Sequence, residues 1–214
     1  MLYKKLEPAE LTRAAEVMAK AFADYPLCDC VRDKFTTREQ FLRFMTEIFK
    51  VYVAAYRRKG CPVFIGKRGN TIASISILVR PHTPSVKLQD YIKAGALKIF
   101  LMTSPANIFR LLKVMDSGHG PCEELMKRSW FIESLAVAPE IQSKHLGTGM
   151  IQDCILPYIR KQSRGKNAEL TLFTNNEKNR RFYAKNGFEE FDAKEIRQDG
   201  CIIGNWSFRM KVSC

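Results

Sequence analysis

Residues 137–150 read "VAPEIQSKHLGTGM" and lead into the apolar run "MIQDCILPYI". A polar, glycine-bearing segment that opens a helix offers free backbone N–H groups and the positive end of a helix dipole. That is how anions, and pyrophosphates in particular, are held. The two common phosphate-loop spellings do not fit. There is no GxxxxGK[ST], and Gly147-Thr148-Gly149 is not followed by a third glycine. A dinucleotide site would also need an acidic residue about 20 positions on, in a strand–helix setting that the sequence lacks.

Working outward, "SWFIESLAVAP" (129–139) predicts a strand that ends at Pro139 just before this loop. The loop predicts a helix from about Gly147 to Gln162, with Pro157 kinking it or ending it early. "AELTLFT" (168–174) predicts the next strand, and "KNRRFYAKN" (178–186) a short helix closed by Gly187. "FEEFDAKEIR" and "CIIGNWSFRMKV" alternate as a closing antiparallel pair, turning at Asp199-Gly200.

Upstream, "LYKKLEP" (2–8) predicts a first strand, and 9–25 a helix that Pro26 ends. Thr36, with Glu39 three residues on, predicts a capped start for a helix whose stripe is Phe41, Phe44, Met45, Ile48, Phe49 and Tyr52. "CPVFIGKRG" and "NTIASISILV" form a hairpin signal with a turn at Gly69-Asn70. Residues 81–128 are Pro-punctuated and helical, and predict an insertion that caps the sheet or covers a pocket. Its apolar stripe is Leu97, Phe100, Leu101, Ile108, Leu111, Leu112 and Met115. The expected fold is α/β: one domain over 1–214 with a mixed, mostly antiparallel sheet flanked by helices.

The chain is 46% hydrophobic and 27% charged, and has the composition of an ordinary globular protein. Its start carries no secretory h-region, and no apolar run is long enough to span a bilayer, so a cytoplasmic protein without a membrane partner is expected. Seven cysteines, odd in number and irregularly spaced, argue against a disulfide framework, and Cys28-x-Cys30 lacks the further ligands of a metal site. Cys154 falls in an apolar helical register, which argues against a nucleophile. The net charge of +13 is spread over the chain with no nucleic-acid motif, which favours solvated basic faces over a nucleic-acid partner.

A second constellation, "NNEKNRRFYAKNGF" (175–188), places Asn179 and Tyr183 one turn apart on one helical face. With "LAVAPEIQSKHLGTGM" (135–150) it resembles the GCN5-related N-acetyltransferase (GNAT) superfamily over roughly residues 129–190. "AFADYPL" (21–27) is similar to a phrase common in its bacterial small-molecule members. The resemblance implies acetyl-CoA as cofactor and a small-molecule amine as acceptor, in a monomer or homodimer. It implies main-chain contacts to the pantetheine arm from Leu135, Ala136 and Val137, and a pyrophosphate loop of Gln142, Ser143, Lys144, His145, Leu146, Gly147 and Thr148. It also implies pantetheine contacts from Asn176 and Asn179, and Tyr183 as the acid that protonates the departing thiolate. Gln142 fills the loop's Q/R position and Gly147 its last Gly/Ala, but His145 stands where the first glycine belongs.

The chemistry agrees with that assignment. An amine must lose a proton before it attacks a thioester, the oxyanion needs an N–H donor, and the leaving thiolate benefits from an acid whose ordinary pKa of about 10 is close to its own. Glu133, a few residues before the end of the strand, is the candidate base, directly or through water, and Asp24, Tyr25 and Asp29 are candidate amine-binding groups. A non-catalytic acyl-CoA-binding module is the alternative reading, favoured by His145. Glycine takes φ > 0 freely, whereas histidine there costs on the order of 1 kcal/mol. Either position 145 needs no positive φ or the loop is strained.

Overall fold

A computed structural model of the protein describes residues 1–109, 118–142, 144–198 and 201–213. The turn residues 199–200, Ser143, and Leu111, Leu112 and Met115 of the insertion stripe lie outside the described residues.

Seven strands form one sheet in the order β1-β2-β3-β4-β5-β7-β6. They are β1 (Leu2–Lys5), β2 (Val63–Arg68), β3 (Thr71–Val79), β4 (Trp130–Val137), β5 (Ala168–Thr174), β6 (Glu189–Gln198) and β7 (Cys201–Val212). Every neighbouring pair is antiparallel except β4 and β5. The expected hairpin turns at Gly69, which takes the φ of +59° that such a turn needs.

Helix α1 (Leu11–Phe22) starts after a 3₁₀ turn at Pro8–Glu10, two residues later than expected. It stops at Phe22, before Pro26 opens a second 3₁₀ turn that runs into the short α2 (Asp29–Arg32). Helix α3 (Arg38–Arg58) is capped by Thr37, not Thr36: the Thr37 hydroxyl accepts the Gln40 N–H at 3.2 Å. Thr37 has the extended backbone an N-cap requires (φ −131°, ψ 152°). The predicted stripe of α3 is buried, with Phe41, Phe44, Met45, Phe49 and Tyr52 packing with α1 against Ile65, Ile75, Ile77 and Phe131 of the sheet.

The opposite face is covered by a helix we call α5 and by α6 (Glu177–Lys185). Helix α5 is continuous over Leu146–Gly149, a π segment at Met150–Ile155, and Leu156–Ser163. Pro157 does not end it. The wider π turn directly upstream relieves the clash between the proline ring and the carbonyl four residues back, and the helix continues. Gly187, at φ +86°, closes α6: its N–H bonds Ala184 O, and the N–H of Phe188 bonds Tyr183 O.

Between β3 and β4 lie α4 (Leu88–Lys93), a 3₁₀ segment at Ala96–Leu101, and short turns at Gly120–Cys122 and Glu123–Met126. The expected stripe does not face inward as a unit. Ala96 and Ile99 are buried, whereas Leu97 is 65% and Leu101 89% exposed. A 3₁₀ segment repeats every three residues, so the inward positions are i and i+3 and the α-helical phase fails.

Candidate active site

Strands β4 and β5 run parallel but share only two registered pairs, Trp130 with Leu170 and Phe131 with Thr171. Beyond Phe131 the strands diverge, and the β5-facing edge of β4 from Ile132 to Val137 has no ladder partner. The other edge stays bonded to β3, with a bulge that makes Glu133 the extra residue between Ile132 and Ser134. Bulges re-aim side chains, and this one is followed by the widening gap.

The loop sits beside that gap. His145 has φ +57° and ψ 16°, left-handed backbone at the place where glycine was expected, and so the loop is strained there. No side chain caps the start of α5, which leaves its first N–H groups available. Gly147 and Gly149 owe their smallness to packing, not to backbone. A Cβ on Gly147 would lie 2.9 Å from Phe182 Cζ and 3.7 Å from Leu135 Cδ2, and one on Gly149 would strike the Tyr3 hydroxyl. Gly147 thus locks the loop against both α6 and the open part of β4. Gln142 donates from its side chain to Val137 O at 3.2 Å, tying the loop to the strand end, and Lys144 is exposed.

A cavity of about 100 Å³ passes through the gap. Tyr183 and Asn179 line it from α6, Leu135, Ser134 and Glu133 from β4, and Asn175 from the end of β5. A larger cavity of about 1070 Å³, walled partly by insertion residues such as Val86, Leu88 and Tyr91, shares Tyr52, His119 and Glu133 with it.

Glu133 is therefore no outward strand carboxylate: its side chain is 2% exposed. Tyr52 donates a short hydrogen bond to Oε1, and His119 Nε2 lies 3.2 Å from Oε2. Burial alone would raise its pKa. The charge of His119 and hydrogen bonds from His119, Tyr52 and Tyr56 outweigh that and hold it below the usual carboxylate range. Tyr52, beside that carboxylate, is pushed well above the ordinary tyrosine value by burial first and by Glu133 second. Burial also raises Tyr183, with Tyr25 adding to the shift, so the near-balance with a thiol expected from tyrosine's ordinary value is not what the folded site provides.

The other sequence candidates fall as follows. Tyr25 lines the cavity, but its hydroxyl lies 2.9 Å from Thr174 Oγ1 and accepts the Asn175 N–H at 2.8 Å, so it fastens the diverging end of β5. Asp24 is exposed and paired with the two terminal guanidinium nitrogens of Arg38 (2.9 and 2.8 Å), and Asp29 is exposed and paired with Arg32 (2.7 Å); neither lines either cavity. Asn176 caps α6, its side-chain oxygen accepting the Lys178 N–H at 2.9 Å. Ala136 is buried in the β4 core. Cys154 is buried, its thiol pushed up to about 11, which suits packing and not nucleophilic attack.

Sequence reasoning missed His119, Tyr52, Ser134 and Asn175 as site residues. Tyr52 looked like the end of a core stripe, and Asn175 was overshadowed by Asn176. His119 carried one faint signal, its flanking glycines. A Cβ at Gly118 would collide with Phe173, and Asn205 holds the Gly118 carbonyl at 3.2 Å, so the segment is pinned tightly where it delivers His119. The ring also meets Phe173 edge-on at 4.9 Å.

Residues 112–190 match the acetyltransferase (GNAT) domain family. That stretch of the chain reads as a GNAT acetyltransferase domain. No curated protein matches the sequence. Among solved structures the chain is similar to the ribosomal-protein-S18-alanine N-acetyltransferase of Escherichia coli, at 14% identity over 100% of this chain and 94% of that one (TM-score 0.56). It is similar to the ribosomal-protein-alanine N-acetyltransferase of Brucella melitensis, at 13% identity over 98% and 99% (TM-score 0.58). Another similar structure is yncA of Salmonella typhimurium with its cofactor acetyl-CoA, at 12% identity over 99% and 94% (TM-score 0.58). Identities this low speak for the fold alone. Three observations in this chain fit acetyl-CoA: the uncapped start of α5, the unladdered edge of β4, and two buried polar atoms in the gap, Ser134 Oγ and Asn175 Oδ1, without a hydrogen-bond partner. Among the described residues no helix is long and apolar enough to cross a membrane.

Proposed function

We propose that this protein transfers the acetyl group of acetyl-CoA to a primary amine by direct attack in a ternary complex. The observation that carries this reading is the divergence of β4 from β5 after Phe131, with Glu133 and Tyr183 lining the cavity that fills it. The amides at the start of α5, over 145–148, hold the pyrophosphate, supported by Gln142, Ser143 and Lys144. The open edge of β4 at Leu135, Ala136 and Val137, with Asn179 and the end of β5 at Asn175 and Asn176, holds the pantetheine arm. Bound acetyl-CoA supplies an activated acetyl thioester.

The Glu133 carboxylate draws the ammonium of the acceptor into the site, and the proton that the ammonium loses passes to His119 in its neutral form, whose imidazolium Glu133 then balances. A carboxylate held ionised by His119 and Tyr52 is a weak base by itself but a strong anchor for a cation, so the pair is the functional unit. N–H groups of β4 stabilise negative charge that develops on the acetyl oxygen. Tyr183 donates its proton at the thiolate sulfur; its raised pKa makes this transfer uphill and makes its placement decisive. We place the enzyme in the cytoplasm.

Titration calorimetry with acetyl-CoA, followed by thiol release with a panel of amines, tests the proposal. Binding without release for every amine would favour a non-catalytic acyl-CoA-binding module. No binding at hundreds of micromolar would sink the enzymatic reading.

A further inference from the structure

The cavity at Glu133 has one strongly apolar wall. Phe22 of α1 and Ile48, Phe49 and Tyr52 of α3 form it. The Phe22 and Phe49 rings are 5.4 Å apart, and Phe49 meets Tyr52 edge-on at 6.1 Å. The row continues from Tyr52 to Tyr56 at 4.9 Å and to Tyr91, stacked at 6.5 Å, along the wall of the larger cavity. Glu133 stands where the two cavities meet. In a chain of net charge +13, the described lining of the smaller cavity holds no lysine or arginine, and Glu133 is its one carboxylate.

We propose that the acceptor is a primary amine on an apolar, uncharged body, an alkyl- or arylalkylamine, whose ammonium meets Glu133 while the body lies along the Phe22–Phe49–Tyr52 row. This deepens the acetyl-transfer reading and rests on it. The rings offer apolar area to the body and negative faces to the cation. Selection works mainly by penalty. A carboxylate on the acceptor would be stripped of water beside Glu133, and the one cation that could face it, His119, is already engaged by Glu133. An amino sugar would press its hydroxyls against Phe22, Ile48 and Phe49, where they find no partner. The second ammonium of a polyamine would find no second carboxylate in this cavity.

The test is the rate of thiol release at fixed acetyl-CoA with phenethylamine, isoamylamine, phenylalanine, glucosamine and spermidine. The kcat/KM for phenethylamine is expected to exceed that for phenylalanine and for glucosamine by at least about 100-fold, the scale set by polar groups left unpaired in a site. Ile48→Arg puts a guanidinium into the apolar wall and should shrink the phenethylamine-to-phenylalanine ratio at least about tenfold, with acetyl-CoA affinity unchanged. Phenylalanine, glucosamine or spermidine equalling phenethylamine would overturn the inference. So would turnover of none of the panel by protein that binds acetyl-CoA, or an unchanged ratio in folded Ile48→Arg protein. Should Ile48→Arg not fold, the wild-type ratios decide. Failure of the acetyl-transfer reading looks different: acetyl-CoA itself does not bind. In that event saturation-transfer NMR with phenethylamine against phenylalanine still decides the preference of the wall, and equal binding overturns it.

Discussion

His145→Gly separates backbone strain from ligand contact in the loop. The wild-type residue holds φ +57° and ψ 16°. A non-glycine residue in this region costs roughly 1–2 kcal/mol, with histidine toward the low end because it visits the region more readily than most. Glycine removes that cost from the folded state. It also widens the freedom of the unfolded chain, which costs about 0.4–1 kcal/mol in the other direction. The net expectation is a gain of roughly 0.5 kcal/mol, read as a rise in Tm of about 1–2 °C for a chain of this length. Because glycine adopts the same left-handed geometry freely, the backbone change alone leaves acetyl-CoA affinity within about threefold, far less than the roughly tenfold that 1.4 kcal/mol would give. Arg164→Gly is the internal control: Arg164 also has a left-handed backbone (φ 50°, ψ 47°), at the far end of α5. Urea unfolding and acetyl-CoA calorimetry on both variants read the two effects apart. A fall in stability for His145→Gly, with a rise for Arg164→Gly, would refute the strain argument. A large loss of affinity confined to His145→Gly would show that the imidazole itself is a ligand.

Three further outcomes are expected. Tyr183→Phe should lower kcat by about 10²-fold or more while calorimetric acetyl-CoA affinity stays put, as removal of a proton donor does; an unchanged kcat would take Tyr183 out of the acid role. Glu133→Gln should cut kcat/KM by a similar factor and flatten the acid limb of stability. Its folded pKa is depressed, so its contribution is complete above the unfolded value of about 4.3 and is lost as pH falls from there through the folded value. Urea midpoints between pH 3 and 6 that are parallel in wild type and variant would contradict that. Gly147→Ala brings a methyl within 2.9 Å of Phe182 Cζ and should destabilise by about 1–3 kcal/mol in urea unfolding, with partial rescue by Phe182→Leu. A neutral Gly147→Ala would mean that the contact relaxes freely.

Elements whose periodicity and punctuation are local were legible in the sequence. The β2–β3 hairpin, the buried stripe of α3, the Gly187 stop of α6 and the strand–loop–helix around 137–150 all follow from apolar spacing and turn residues. Local pattern failed where a neighbour decided the outcome. Thr36 and Thr37 are equivalent in sequence, and only the chain path chose Thr37 as the cap. Leu97 and Leu101 were placed inward on an α-helical phase that the 3₁₀ segment does not follow. Asp24 and Asp29 looked available for an amine until Arg38 and Arg32 took them up.

The sequence by itself determined the family resemblance, the cofactor class and the position where a glycine is missing, because a phosphate loop and a capped helix are written in consecutive residues. Only the tertiary structure decided what the visible glycines do and which groups touch Glu133. The left-handed backbone belongs to His145, while Gly147 and Gly149 are small because Phe182 and Tyr3, 35 and 146 residues away in the chain, pack against them. Glu133 is a buried carboxylate and not a surface one because Tyr52 and His119 converge on it from α3 and from the segment before β4. Those contacts join parts of the chain that carry no shared local pattern, and burial and charge are properties of the assembled neighbourhood.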